Sequence, residues 1–216
     1  MKDFDVIFDT GRITTFVGNS YFNQGLKTYM GRYGKTTELV TIEHALEQNQ
    51  QWFDDRQFFT TVSSIAFRKN IVDSLQPFNP NWITVVGTNT VDPFYDLNQL
   101  GKGVFLYGHN YVTDDSVSIG NYSIITGACV SHGTKVGNFC YLSPWCYSSY
   151  TTLGDGTCLG TGTYLFGRRD NQLEITNWCN IVAGSRVTKN ILYPGTYLNT
   201  KQLIAKVVWK IIYFNT

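Results

Sequence analysis

The chain has 216 residues, a formal net charge of +1 at neutral pH and 43% hydrophobic residues. That length supports one large domain or two small ones around a core of ordinary size, and the balanced charge excludes a broad footprint for nucleic acid or anionic lipid. No stretch reads as a secretory signal and no apolar run is long enough to span a bilayer, so a cytoplasmic protein with no membrane partner is expected.

Taken in chain order, "ITTFVGNS" (Ile13 to Ser20) is a β-rich run that ends in glycine, and "YFNQGLKTYMGRYGK" reads as a helix stopped near Gly31 to Gly34. "TELVTI" is a second strand, "EHALEQNQQWFDD" a polar and mostly helical stretch, and "RQFFTTVSS" a third strand. "IAFRKNIVDSLQPF" is a helix and "NWITVVG" a strand; Asn79-Pro80 and Asp92-Pro93 punctuate the exit. Strands alternating with helices predict a small parallel α/β domain of Rossmann type over residues 1–95. Two of its strand-to-helix turns are candidate phosphate sites, because helix N-terminal amides attract anions. They are Gly18, Asn19 and Ser20 in the first, and Ser63 and Ser64 in the second, each equally readable as an ordinary turn.

Beyond this, residues 96–216 follow a different rule. Ile124-Ile-Thr-Gly-Ala128-Cys is followed by Val130-Ser-His-Gly-Thr134-Lys, Val136-Gly-Asn-Phe-Cys140-Tyr and Leu142-Ser-Pro-Trp-Cys146-Tyr. After a one-residue slip around Ser148 to Thr152 come Leu153-Gly-Asp-Gly-Thr157-Cys, Leu159-Gly-Thr-Gly-Thr163-Tyr and, later, Ile181-Val-Ala-Gly-Ser185-Arg. A period of six fits neither helix nor plain strand. Each unit is too short to bury its own aliphatic, so it must stack on the equivalent unit of the next coil. The leading aliphatic and the small fifth residue point inward, and glycines such as Gly120, Gly137, Gly154 and Gly160 are expected to supply turn conformations. The result is a parallel β-helix from about Leu97 to about Asn199, with "FGRRDNQLEITNW" (Phe166 to Trp178) as a loop pushed out from a corner. The closing "LIAKVVWKIIYF" is expected to be a packing strand or helix.

The five cysteines (Cys129, Cys140, Cys146, Cys158 and Cys179) form no CxxC and match no zinc spacing, so reduced core thiols and no metal are expected. His132 holds the third position of a hexad and should project outward; a histidine there suits proton transfer near neutral pH. His109 and His44 read as surface residues.

The repeat resembles the hexapeptide-repeat acyltransferases, which implies a left-handed parallel β-helix. The two-part layout narrows the resemblance to the bacterial nucleotide-amino-sugar N-acetyltransferases, the group that includes sialic-acid O-acetyltransferase-like proteins. "FFTTVSSIAFRKNIVDSL", with Arg68 and Lys69, resembles the family's strand-loop-helix, and "ACVSHGTKVGNF" resembles the segment with its catalytic histidine, which falls on His132. The resemblance implies an acetyl-CoA-dependent N-acyltransferase acting on the amine of a nucleotide-linked amino sugar, with His132 as general base. It also implies a homotrimer with each active site between neighbouring β-helices. Gly160, Thr161 and Gly162 fall where relatives press the cofactor's pantetheine arm, and read equally as plain corner residues; Arg168 and Arg169 in the protruding loop are candidates for the cofactor's phosphates, though a solvated pair is the readier reading. Sugar O-acetylation and a non-catalytic sugar-binding module are the alternatives left open. The chain departs from the family at Tyr21 and Phe22 in the first loop, at Ser63 and Ser64 in the second, at Gly133 where relatives often carry an acid, and at "YLNTKQL" near the end.

Overall fold

In the computed structural model, which describes residues 4–7, 12–32, 34–87, 90–92, 95–114 and 116–204, the six-residue period winds the chain into a parallel coil with three faces. Among the described residues the chain divides into two units: Val6–Thr84 forms one, and the residues up to Asp5 belong with those from Val85 on in the other.

Strands of the first face include Ile124–Thr126, Tyr141–Leu142 and Cys158–Leu159; those of the second include Cys129–Val130, Tyr147–Ser149 and Tyr164–Phe166. The third holds Ser118–Ile119, Lys135–Val136, Thr151–Leu153 and Leu173–Ile175. Register places Ile125, Leu142, Leu159 and Ile181 in one inward column and Ile119, Val136, Leu153 and Ile175 in another, all buried. Burying one such side chain stabilises the coil by about 1.5–3 kcal/mol, which a lone hexapeptide has no partner to provide. The fifth-position residues Ala128, Thr134, Cys140, Cys146, Thr157, Thr163 and Ser185 are buried as the pattern requires. In the first written unit, Ile125 rather than Ile124 pairs with Leu142. The slip is real: Ser148 pairs with Val130 and Leu153 with Val136, so that corner is one residue shorter.

The corner glycines work differently from the expectation. Gly120, Gly137, Gly154 and Gly160 do not have left-handed φ. They are needed because coils touch there: a Cβ on Gly120 would lie 2.6 Å from the Gly137 carbonyl carbon, and one on Gly160 would lie 2.5 Å from the Ala183 nitrogen. The residue after three of these glycines knits the stack. The Asn121 N–H donates to Asn138 Oδ1 (2.8 Å), the Asn138 N–H to Asp155 Oδ1 (2.7 Å) and the Asp155 N–H to Asn177 Oδ1 (2.9 Å). Each corner amide is thereby satisfied without water. Left-handed φ falls instead on Tyr122, Phe139 and Trp178, whose aromatic rings cover the neighbouring corners; the Tyr122 and Phe139 rings stack at 5.0 Å.

The loop expected over Phe166 to Trp178 is confined to a shorter span. Phe166 still belongs to the second face and Leu173–Ile175 to the third; between them Arg168 and Asn171 close a hairpin turn through two backbone bonds of 3.0 and 3.1 Å. Near the end, Gly195–Leu198 pairs with Lys201–Ile204 as an antiparallel hairpin. The rest of "LIAKVVWKIIYF" lies outside the described residues.

Before the coil the strands and helices come in the expected order, behind one further strand that the sequence pattern does not give. After β1 (Phe4–Ile7) come β2 (Ile13–Val17), α1 (Tyr21–Arg32) and β3 (Thr37–Val40). Then follow α2 (Ile42–Leu46), α3 (Gln50–Asp54), β4 (Arg56–Phe59), α4 (Ile65–Leu75) and β5 (Thr84–Gly87). The single helical stretch read in "EHALEQNQQWFDD" is two short helices, because the Asn49 side chain accepts the Trp52 N–H (3.0 Å) and starts a new one. β2 lies between β3 and β4, all parallel. From Val85 on, β5 belongs to the same unit as the coil and pairs with Phe105–Tyr107 as a rung of the first face.

All five cysteines are free, with Cys140, Cys146 and Cys179 buried. Burial pushes the Cys146 and Cys179 thiols up to about 11. Since the thiolate is the reactive form, the folded protein treated with iodoacetamide near neutral pH should leave these two unmodified by mass spectrometry, and label them once denatured. No helix among the described residues is long and apolar enough to cross a membrane.

Candidate active site at a coil corner

The corner between the second and third faces carries Ser131, His132, Gly133 and Thr134. Ser131 is pinned by its N–H on the Ser148 carbonyl (2.7 Å) and the Thr134 N–H returns to the Ser131 carbonyl (3.2 Å), so the two residues between them are forced outward. His132 projects from the prism with its side chain 57% exposed. Its carbonyl is held by the Tyr150 N–H at 2.7 Å.

The ring is oriented by a carboxylate. Asp114, from the same corner one coil earlier, meets His132 Nδ1 with its Oδ2. Its Oδ1 accepts from the Ser116 hydroxyl and from the Ser116 N–H (2.9 Å), while Ser116 Oγ accepts the Gly133 N–H (2.7 Å). The network closes from Gly133 through Ser116 and Asp114 to His132. Partial burial pushes the Asp114 carboxyl up, but hydrogen bonds from Ser116 and His132, together with the charge of His132, outweigh it and hold the group below the usual carboxylate range. An ionised Asp114 accepts from Nδ1–H, so the neutral ring keeps its lone pair on Nε2. That is the arrangement of an oriented general base.

Gly133 is glycine for a reason of space. Its φ is +65°, and a Cβ there would come within 2.6 Å of Tyr150 Cδ1. The Tyr150 ring lies 6.4 Å from that of His132, tilted by 34°. A side chain directly after the histidine therefore does not fit, and the carboxylate that meets the ring comes from Asp114 in the coil before. Asp114 is the residue that pattern reading missed. Its one signal was a coil between Val112 and Ile119 one residue longer than the next, since Val130 and Val136 occupy the same register.

The other histidines are elsewhere. His44 is exposed on α2, edge-on to Trp52 at 6.3 Å, and His109 is exposed; no cluster among the described residues could hold a metal ion. Gly160, Thr161 and Gly162 form the corner between the first and second faces, the opposite edge of the second face from His132. The Gly162 N–H bonds to the Pro144 carbonyl (3.0 Å) and the Thr161 carbonyl takes the Gly184 N–H (2.8 Å), so much of this backbone serves the stack. A Cβ on Gly162 would meet nothing within 4 Å, which leaves open space beside the corner for an extended ligand arm.

In the N-terminal unit the two loops do come together. β2 and β4 are neighbours, so Gly18–Ser20 and Ser63–Ser64 follow adjacent strand ends. Buried Asn23 ties them: its Nδ2 donates to the Val17 and Gly18 carbonyls (3.1 and 2.6 Å) and its Oδ1 accepts from the Thr61 N–H and hydroxyl (3.0 and 2.7 Å). Ser20 accepts the Asn23 N–H (3.0 Å) and Ser64 the Phe67 N–H (3.4 Å), which makes both serines helix caps. Asn19 Oδ1 accepts from Gln24 (2.6 Å), and Ser63 is exposed. Gly18 has φ +88° and would strike Val62 if it bore a Cβ. Arg68 is fully buried and donates to the Val62 carbonyl (2.6 Å), shaping the second loop from beneath, whereas Lys69 pairs with Asp73 (2.5 Å). Tyr21 is exposed at the start of α1.

No family model and no curated protein matches the sequence. The likeness is to solved structures. WeeI from Acinetobacter baumannii AYE is 17% identical with a TM-score of 0.74, over 89% of this chain and 99% of its own. A mutant of perosamine N-acetyltransferase from Caulobacter crescentus, in complex with CoA and GDP-perosamine, is 16% identical with a TM-score of 0.70, over 92% and 98%. The acetyltransferase domain of PglB from Neisseria gonorrhoeae FA1090, in complex with acetyl coenzyme A, is 15% identical with a TM-score of 0.62, over 89% and 99%. The shared feature is the fold, and the parallel strands of the three faces fit a left-handed β-helix.

Proposed function

We propose that this chain transfers an acetyl group from acetyl-CoA to the amine of a nucleotide-linked amino sugar, with His132 as the general base. The observation that carries the reading is the exposed His132 ring at a rigid coil corner, its Nδ1 engaged by Asp114 and its Nε2 left to work. Two structures of the same fold bear on it: one is named an N-acetyltransferase and holds CoA with a nucleotide amino sugar, and the other holds acetyl coenzyme A.

Acetyl-CoA would supply the acyl group as an activated thioester. His132 Nε2 accepts the proton the amine loses as its nitrogen bonds to the carbonyl carbon, and returns it to the leaving thiolate as the carbon–sulfur bond breaks. Asp114 keeps the ring in the correct tautomer and stabilises the transient imidazolium. Residues 1–95 would act as a Rossmann-like holder of the sugar nucleotide, with Gly18, Asn19, Ser20, Ser63 and Ser64 at the strand ends where such folds take ligands. Residues 96–216 would carry acyl transfer.

The membership that fits is the nucleotide-amino-sugar group with its sialic-acid O-acetyltransferase-like relatives, working in the cytoplasm as a homotrimer. The outward column of Tyr111, Tyr147 and Tyr164 on the second face, beside the 73% exposed Trp145, supports assembly through that face. Assembly there would let the Gly160–Gly162 corner of one copy approach the His132 edge of the next.

The test is release of free thiol from acetyl-CoA across a panel of nucleotide-linked amino sugars and their hydroxyl counterparts. Thiol release with amino sugars alone supports the reading; release only with the hydroxyl sugars, or with none, overturns it.

Asp114→Asn should lower kcat on the order of 10- to 100-fold, since a hydrogen bond to a charged group contributes about 1.5–3 kcal/mol. Because the folded-state value of Asp114 is depressed below 3.8, its stabilising contribution is present above that value and lost only as pH falls through the lower one. With its side chain 36% exposed, the stability effect is small, and kcat is the measurement to make.

A further inference from the structure

The corner column that carries His132 continues along the same edge of the prism. The Tyr150 corner lies on it through Tyr150 N–H to the His132 carbonyl (2.7 Å), and the protruding loop lies on Tyr150 through Leu173 N–H to the Tyr150 carbonyl (2.9 Å). The next corner, at Thr188 to Asn190, is joined to the loop by the Glu174 N–H on Asn190 Oδ1 (3.0 Å). With coils spaced roughly 4.8 Å apart, the loop lies roughly 10 Å from His132 and the following corner roughly 14 Å.

At the loop the chain spends residues that the coil does not need. The span from Leu165 to Ile175 is four residues longer than the equivalent one from Val130 to Val136, and the added residues stay exposed. They build a hairpin turn and bury no apolar side chain, so packing does not account for them. The turn and the corner beyond it enclose a cleft of about 710 Å³. Arg168 lines it from the loop and Lys189 from the corner; Asp170 is the one acid in its lining. Neither Arg168 nor Lys189 has an ion pair or side-chain hydrogen bond among the described residues. The amide groups of Asn171, Gln172 and Asn190 add polar lining.

We propose that this cleft is a phosphate subsite, in which Arg168 and Lys189 hold a phosphomonoester or diphosphate of a ligand whose reacting end reaches His132. A planar guanidinium offers paired N–H donors to phosphate oxygens and an ammonium adds a point charge. Two cations against one carboxylate leave a net attraction for an anion. The cleft's place on the His132 edge selects an elongated molecule with phosphate at one end, a description that fits the acyl carrier and a nucleotide diphosphate alike. This rests on the reading of His132 as the reacting centre, but the subsite can be tested without turnover.

Calorimetry on the full chain separates the sources, with CoA, acetylpantetheine and UDP as probes against wild type, the Arg168→Ala/Lys189→Ala double variant and Lys189→Glu. Both residues are exposed, so the fold should be unaffected, and thermal unfolding checks that. The expected result is a loss of affinity of at least about 10-fold in both variants for CoA or for UDP, with acetylpantetheine unchanged. Weakening of CoA alone assigns the cleft to the acyl donor, and weakening of UDP alone to the sugar nucleotide. Wild-type affinity of both variants for both phosphorylated probes, or no binding of either by the wild type, overturns the subsite. A cleft dependent on these residues in a protein that transfers no acetyl group would refute the proposed reaction and leave the subsite standing.

Discussion

Replacing His132 by Ala is expected to lower the rate of acetyl transfer by about 100- to 10,000-fold, the usual contribution of a positioned general base. The substitution is clean because the ring stands outside the prism and adds nothing to the inward columns. What the corner takes from this residue is its backbone carbonyl, which accepts the Tyr150 N–H and survives in alanine. Gly133 and Ser116 keep their bond at 2.7 Å, so the corner has no cause to rearrange. His132→Asn serves as the companion variant, with a polar atom near the Nδ1 position and no basic nitrogen. Both should unfold at the wild-type temperature while turning over at the low rate. A near-wild-type rate in either would remove His132 from the chemistry.

The second expectation concerns the stack. Leu142 is fully buried between Ile125 and Leu159 in the first-face column. Leu142→Ala removes its contacts with both neighbouring coils at once and leaves a cavity that closely spaced strands cannot fill. A loss of about 2–5 kcal/mol is expected for such a truncation. Leu192→Ala is the control, since that side chain is 61% exposed and should change stability by no more than about 0.5 kcal/mol. Denaturant unfolding followed by tryptophan fluorescence reads both, provided the slope against denaturant is unchanged. A loss below about 1 kcal/mol for Leu142→Ala would mean that the column is not what holds the coil.

The period of six could be read directly, because stacking acts on every coil and leaves aliphatics such as Val136 and Leu153 in fixed register. The outward placement of His132 follows from the same register. The alternation of strands and helices before the coil was also readable, but the caps were not: Thr41 ends the strand read through Ile42 and Asn49 splits the polar helical stretch in two. Asp114 was not, because it reaches His132 across the stack from the coil before, and only a corner one residue longer betrays it. The role of glycines such as Gly137 was also misread: sequence marks a missing Cβ but does not say whether the backbone angle or the next coil forbids it. Nor does it show that a loop expected to run to Trp178 returns to its strand at Leu173, since that depends on pairing with Thr151.

Measuring thiol release with a nucleotide amino sugar, for the wild type and His132→Ala side by side, tests the proposed chemistry at its core. The wild type should release thiol with each acetyl group transferred, and the variant should do so at least about 100-fold more slowly. Comparable rates in both proteins would contradict the assignment of His132 as the proton acceptor.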